Sequence, residues 1–145
     1  MFGVKRIKDK KKDMKNPDIK ILPEVFKHYP DIAAVYLFGS TATGKLHQHS
    51  DLDLAIVEKN KSIWDKKLDI LTDLVREGFD RVDLIFLGKA DIVLQYEAVK
   101  MNIVIYKRSD FDRGELYSRI VREYLDFYPY LEVQRKAYKE RVLSG

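Results

Sequence analysis

Between Phe38 and Val57 the chain reads FGSTATGKLHQHSDLDLAIV, and two aspartates one residue apart, Asp51 and Asp53, are its chemically pointed feature. If they open a strand, alternation of side chains puts both carboxylates on one face and Leu52 and Leu54 in the core. Like charges held so close repel unless a cation lies between them. Oxygen ligands of this kind suit magnesium, with manganese as the alternative; such an ion keeps several waters and draws its remaining ligands from a substrate's phosphates. Asp83, flanked by Val82 and Leu84, is a carboxylate inside a later apolar run. Burying it unpaired would be costly. If its strand lies beside that of Asp53, the three carboxylates can hold two metals about 3.5–4 Å apart, aligning an attacking oxygen with a leaving phosphate.

The front of the same stretch imitates a phosphate-binding P-loop. Gly39, Gly44 and Lys45 satisfy its spacing, but Leu46 stands where the magnesium-binding hydroxyl belongs. His47 to Ser50 also leaves no room for the helix whose amino terminus would face the phosphates. His47 and His49 are two apart but have no third histidine near them, and they read as loop residues.

The elements that must position these groups follow from patterning. Ile32–Phe38 is a continuous apolar run bounded by turn residues, as for a strand buried on both faces, and Gly39 ends it. Leu52 to Val57 is the second strand, Arg81 to Leu87 the third, and Ile103 to Tyr106 a short last one. Ile19 to His28 reads as a short helix with Pro23 in its first turn. Residues 62–77 are expected to form a helix, with Ser62 and Asp65 as a capping pattern and Trp64, Leu68, Leu71 and Val75 on its apolar face, ending at Gly78. Ala90 to Met101 is a further helix. From Asp110 to Leu143 the period is helical, with Pro129 expected to kink or split it. The order of elements gives an α+β fold: one small mixed-sheet domain with a long kinked C-terminal helix.

Composition bounds the rest. The 145 residues, 46% hydrophobic and 34% charged, suffice for one buried core. With no cysteine, disulfides and thiolate metal sites are excluded. No apolar run could span a bilayer and no secretory signal is visible, so a cytoplasmic protein without membrane contact is expected. The net charge of +4 is uneven: residues 1–16 carry seven Lys or Arg against two Asp, and the remainder is close to neutral. That segment is expected to be a solvated leader able to make at most weak, sequence-independent contacts with RNA; no direct nucleic-acid role follows. The chain therefore divides into a leader (1–16), a core (17–109) and a C-terminal helical segment (110–145) that packs on the core or on a partner.

The conjunction of the Ile32–Phe38 strand, Gly39-Ser40, a ten-residue spacer, Asp51-Leu52-Asp53 and the later strand aspartate Asp83 resembles the DNA polymerase β-like nucleotidyltransferase superfamily. Arg81-Val82-Asp83-Leu84, Tyr96-Glu97-Ala98, Ile105-Tyr106 and Tyr124-Leu125-Asp126-Phe127 narrow the resemblance to the minimal, MntA-like nucleotidyltransferase antitoxins that accompany HEPN-domain ribonuclease toxins. The resemblance implies a polymerase β-like palm. In it Gly39 lets the backbone approach the triphosphate of ATP and Ser40 hydrogen-bonds it; apart from the resemblance, Lys45 in the spacer, together with one of His47 and His49, is a candidate further contact. It also implies that Asp51 and Asp53 bind two magnesium ions, while Asp83 binds the catalytic one and helps activate the acceptor hydroxyl. The implied reaction is transfer of AMP from ATP to a tyrosine of the partner toxin, silencing it. A small-molecule nucleotidyltransferase of the aminoglycoside type shares this core but usually adds a domain to cradle its acceptor. An antitoxin acting by contact alone would have no need to concentrate three negative charges. The tyrosines of the last helix, Tyr117, Tyr124, Tyr128, Tyr130 and Tyr138, suit either an interface or packing on the sheet.

Overall fold

The computed structural model describes residues 18–39 and 51–144. The leader, and the part of the spacer containing Ser40, Lys45, His47 and His49, lie outside the described residues.

A 3-10 turn, Ile19–Ile21, leads into helix α1, Leu22–Phe26, with Pro23 in its first turn, where its missing N–H costs nothing. Strand β1, Ile32–Phe38, and strand β2, Leu52–Glu58, follow. A 3-10 segment, Lys61–Lys66, then runs into helix α2, Lys67–Arg76. Strand β3 is Val82–Phe86, helix α3 Ile92–Val99, strand β4 Ile103–Lys107 and helix α4 Arg113–Ser144. The Asp91 side chain caps α3 by accepting from the Leu94 N–H at 2.9 Å. Gly78, at φ +96°, ends α2 in the left-handed conformation that glycine adopts without penalty.

The strands form one sheet in the order β3-β2-β1-β4. β1 is antiparallel to both β2 and β4, whereas β2 and β3 are parallel, joined by the α2 crossover. Alternation splits the buried side chains between two faces. Leu54, Ile56 and Leu84 pack with Phe26 of α1 and with Ile70 and Leu74 of α2. Tyr36 and Ala55 pack on the other face with Val99 of α3 and Ile120 of α4. β1, covered on both sides, is almost wholly buried, as its unbroken apolar run requires.

One expectation is corrected. The helix at 62–77 begins as a 3-10 segment, and Ser62 does not cap it: its hydroxyl donates to the Asp31 carboxylate at 2.6 Å, which also accepts from Asn60 Nδ2 at 2.9 Å. Asp31, brought alongside by the β1–β2 pairing, outcompetes the local cap. Changing the residues per turn before Lys67 also rotates the helix. Ile63, Ile70 and Leu74 face the core, while Leu68 is 75% exposed and Val75 is half exposed. Pro129, expected to kink or split the last helix, does not split it: α4 continues through it as 32 residues. The proline leaves the carbonyl of Leu125, on an exposed stretch, without its helical donor.

Candidate active site

Three elements converge where β1 ends and β2 begins. Phe38 is the register partner of Asp53 across the antiparallel pair, and Asp53 is the register partner of Asp83 across the parallel one. The two carboxylates thus occupy equivalent positions on adjacent strands, on the same face as Tyr36 and Ala55, and Leu52 and Leu54 turn to the opposite core. Asp51 is exposed and immediately precedes β2, whose first residue is held by a Leu52 N–H bond to the Arg81 carbonyl at 2.8 Å. Among the described residues no group of three or more His, Asp or Glu side chains closes to metal-holding distances. Asp53 and Asp83 are side by side, with Asp51 one step before the strand.

Asp53 is partly buried, and burial, followed by the charges of Asp83 and Asp51, raises its carboxyl above the ordinary carboxylate value. These two neighbouring charges, both on described residues, are of its own sign. That is an unfinished electrostatic arrangement, and a divalent cation bound by hard oxygen ligands would complete it. The donor set therefore fits magnesium or manganese.

Gly39 contributes something the motif alone did not reveal. A Cβ placed on it would stand 2.0 Å from Asp53 Oδ2 and 2.9 Å from Asp53 Cγ, and its φ of +73° lies in the left-handed region. Both the turn and the room for the Asp53 carboxylate require a residue without a side chain. The signal in the sequence was a glycine directly after a buried strand; its contact with a residue fourteen positions on required the strand register. Of the expected site residues, the fold brings together Gly39, Asp53 and Asp83, with Asp51 adjoining; Ser40 and Lys45 lie outside the described residues.

Comparison with known proteins identifies relatives of the whole fold. The chain is similar to the protein adenylyltransferase MntA of Shewanella oneidensis, 25% identical over 126 residues that cover 87% of each chain. Its fold is similar to that of a chain in a solved toxin–antitoxin structure with AMP-PNP, at a TM-score of 0.65 and 23% identity, covering 86% of this chain and 96% of that one. It is also similar to a chain in a structure of tri-AMPylated Shewanella oneidensis HEPN toxin in complex with MNT antitoxin, at a TM-score of 0.61 and 19% identity, covering 86% and 95%. Among the described residues no helix is long and apolar enough to cross a membrane. The family model for polymerase beta nucleotidyltransferases matches residues 20–111, the whole stretch from α1 to the start of the last helix, and the chain belongs to that family.

Proposed function

We propose that this chain is a magnesium-dependent protein adenylyltransferase that moves AMP from ATP to a tyrosine hydroxyl of a HEPN ribonuclease toxin, and so acts as its antitoxin in the cytoplasm. The observation that carries the reading is the Gly39–Asp53–Asp83 arrangement: a side-chain-free turn against one carboxylate, with a second carboxylate in register beside it. The similarity to MntA, and to chains solved with AMP-PNP and with an AMPylated HEPN toxin, supports the choice of nucleotide and acceptor.

In this reading Asp51 and Asp53 would hold the magnesium ions, with Asp83 as a further ligand of the catalytic one. When bound, the metal would supply charge neutralisation for the phosphates and for the charge that develops during transfer. Gly39 keeps the backbone close to the triphosphate while leaving the Asp53 carboxylate in place, and Ser40 and Lys45 contact the phosphates. The tyrosine oxygen attacks the α-phosphorus, the bond to the β-phosphate oxygen breaks, pyrophosphate leaves, and the phenolic proton passes to the Asp83 carboxylate. Orientation does much of the work, because reactants held in line react far faster than the same groups free in solution.

The test is intact-mass spectrometry of a HEPN ribonuclease that binds this chain, incubated with the purified protein and MgATP. Mass additions of AMP, mapped to tyrosine by fragmentation and absent with Asp53→Asn, are expected. An unchanged mass across magnesium, manganese and all four nucleotides would refute the catalytic reading.

A further inference from the structure

Helix α4 outruns the body on which it packs. At 1.5 Å per residue its 32 residues span about 48 Å. Its anchoring lies near the start: Leu116 and Ile120 are buried, and Tyr124 stacks on Tyr96 of α3 with ring centroids 4.0 Å apart. From Glu132 to Leu143 every residue is exposed.

The apolar stripe nevertheless continues. At about 100° per residue, Leu131, Tyr138 and Val142 fall within roughly 40° of Ile120, on the line by which the helix packs its first turns. Tyr138 is 65% exposed and Val142 60%. A helical stretch this short is marginal in water without tertiary packing, and the bond missing at Pro129 weakens its tie to the packed turns before it. Such a surface calls for a cover. Its charge indicates which kind: Glu132 to Ser144 carries Arg135, Lys136, Lys139 and Arg141 against Glu132 and Glu140, and Glu132 is engaged by Arg135 at 3.4 Å. A second copy of the chain would set this basic edge against itself, whereas an apolar groove rimmed by carboxylates is complementary to it.

We propose that α4 beyond Leu131 is the docking element for the protein acceptor, seated in an apolar, acid-rimmed groove of that acceptor. The inference rests on the reading of the chain as an enzyme with a protein substrate. Binding energy gathered away from the reacting groups would bring the acceptor hydroxyl to the Asp53–Asp83 site.

The test compares the parent with Tyr138→Ser/Val142→Ser, whose side chains are exposed and outside the catalytic machinery, and with Leu125→Ser as an exposed control off the stripe. Titration calorimetry with the same HEPN ribonuclease, and transfer kinetics with varied acceptor, are the two readouts. The double variant is expected to raise the acceptor Kd and KM at least about tenfold, leaving kcat at saturating acceptor and the KM for MgATP unchanged, while Leu125→Ser matches the parent. Arg135→Glu/Lys139→Glu is expected to weaken binding and flatten its salt dependence. An unaltered Kd in both double variants overturns the proposal, as does a parent homodimer that Tyr138→Ser/Val142→Ser dissociates. If the parent shows no transfer at all, the catalytic reading fails by itself, and the calorimetric Kd still decides the docking.

Discussion

Replacing Gly39 by alanine tests the central contact of the site. The added Cβ would meet Asp53 Oδ2 at 2.0 Å and Cγ at 2.9 Å, so the carboxylate must move. Holding an alanine at φ +73° costs about 1–2 kcal/mol, and driving the Asp53 side chain off its rotamer adds about 0.5–1.5 kcal/mol. A loss of roughly 2–3 kcal/mol corresponds, for a domain of this size, to a melting temperature lower by about 6–12 °C. A carboxylate displaced by about 1 Å would also slow transfer roughly 100-fold. Calorimetric melting and intact-mass rates measure the two effects separately. In an Asp53→Ala background the Oδ2 and Cγ contacts vanish and only Asp53 Cβ, at 3.2 Å, remains. The stability cost of Gly39→Ala should then shrink to its backbone share, leaving a coupling of about 1 kcal/mol in the double-mutant cycle. Additive stabilities, or a Gly39→Ala protein that melts and transfers like the parent, would refute the reasoning.

Asp53 also makes a prediction about pH. Burial and the neighbouring charges of Asp83 and Asp51 raise its carboxyl in the folded state, so its contribution to stability is intact below the unfolded value of about 4 and is lost as pH rises through the folded value. Metal-free Asp53→Asn is therefore expected to melt above the parent at pH 7 and level with it near pH 3, and added magnesium should stabilise only the parent, as thermal melts across pH will read. The rotation of α2 predicts that Ile70→Ala, at a fully buried position, costs about 2–5 kcal/mol in urea denaturation, while Leu68→Ala stays within about 0.5 kcal/mol. At the far end of β2, the Glu58 carboxylate accepts from Trp64 Nε1 at 2.8 Å and from the Gly88 N–H at 2.9 and 3.0 Å. Glu58→Gln should cost about 1–3 kcal/mol by the same assay, with transfer per folded molecule unchanged.

Much of this arrangement was legible because it rests on local periodicity. The unbroken apolar run of Ile32–Phe38, bounded by turn residues, reads as a strand buried on both faces and is one, and alternation alone separated Asp53 from Leu52 and Leu54. The tyrosines of the last helix were legible as a group but not individually. Tyr124 stacks on Tyr96, and Tyr117 packs beside Ile120 against the sheet, whereas Tyr130 and Tyr138 are exposed, and nothing in their spacing distinguishes them. The reason is where the body beneath the helix ends, which periodicity does not encode.

What eluded sequence reasoning was decided by contacts distant along the chain. Ser62 had a plausible local partner, but the β1–β2 pairing brought the Asp31 carboxylate to it, and the 3-10 turn that followed set which face of α2 is buried. The sequence by itself determined the elements, the alternation that put the aspartates on one face, and the glycine after the first strand, since each depends on neighbours a few residues apart. The tertiary structure alone decided that Asp53 and Asp83 lie in register and that the Gly39 backbone makes room for the Asp53 carboxylate. Strand order and register arise from closing two faces of a sheet over their helices at once, which no local pattern specifies.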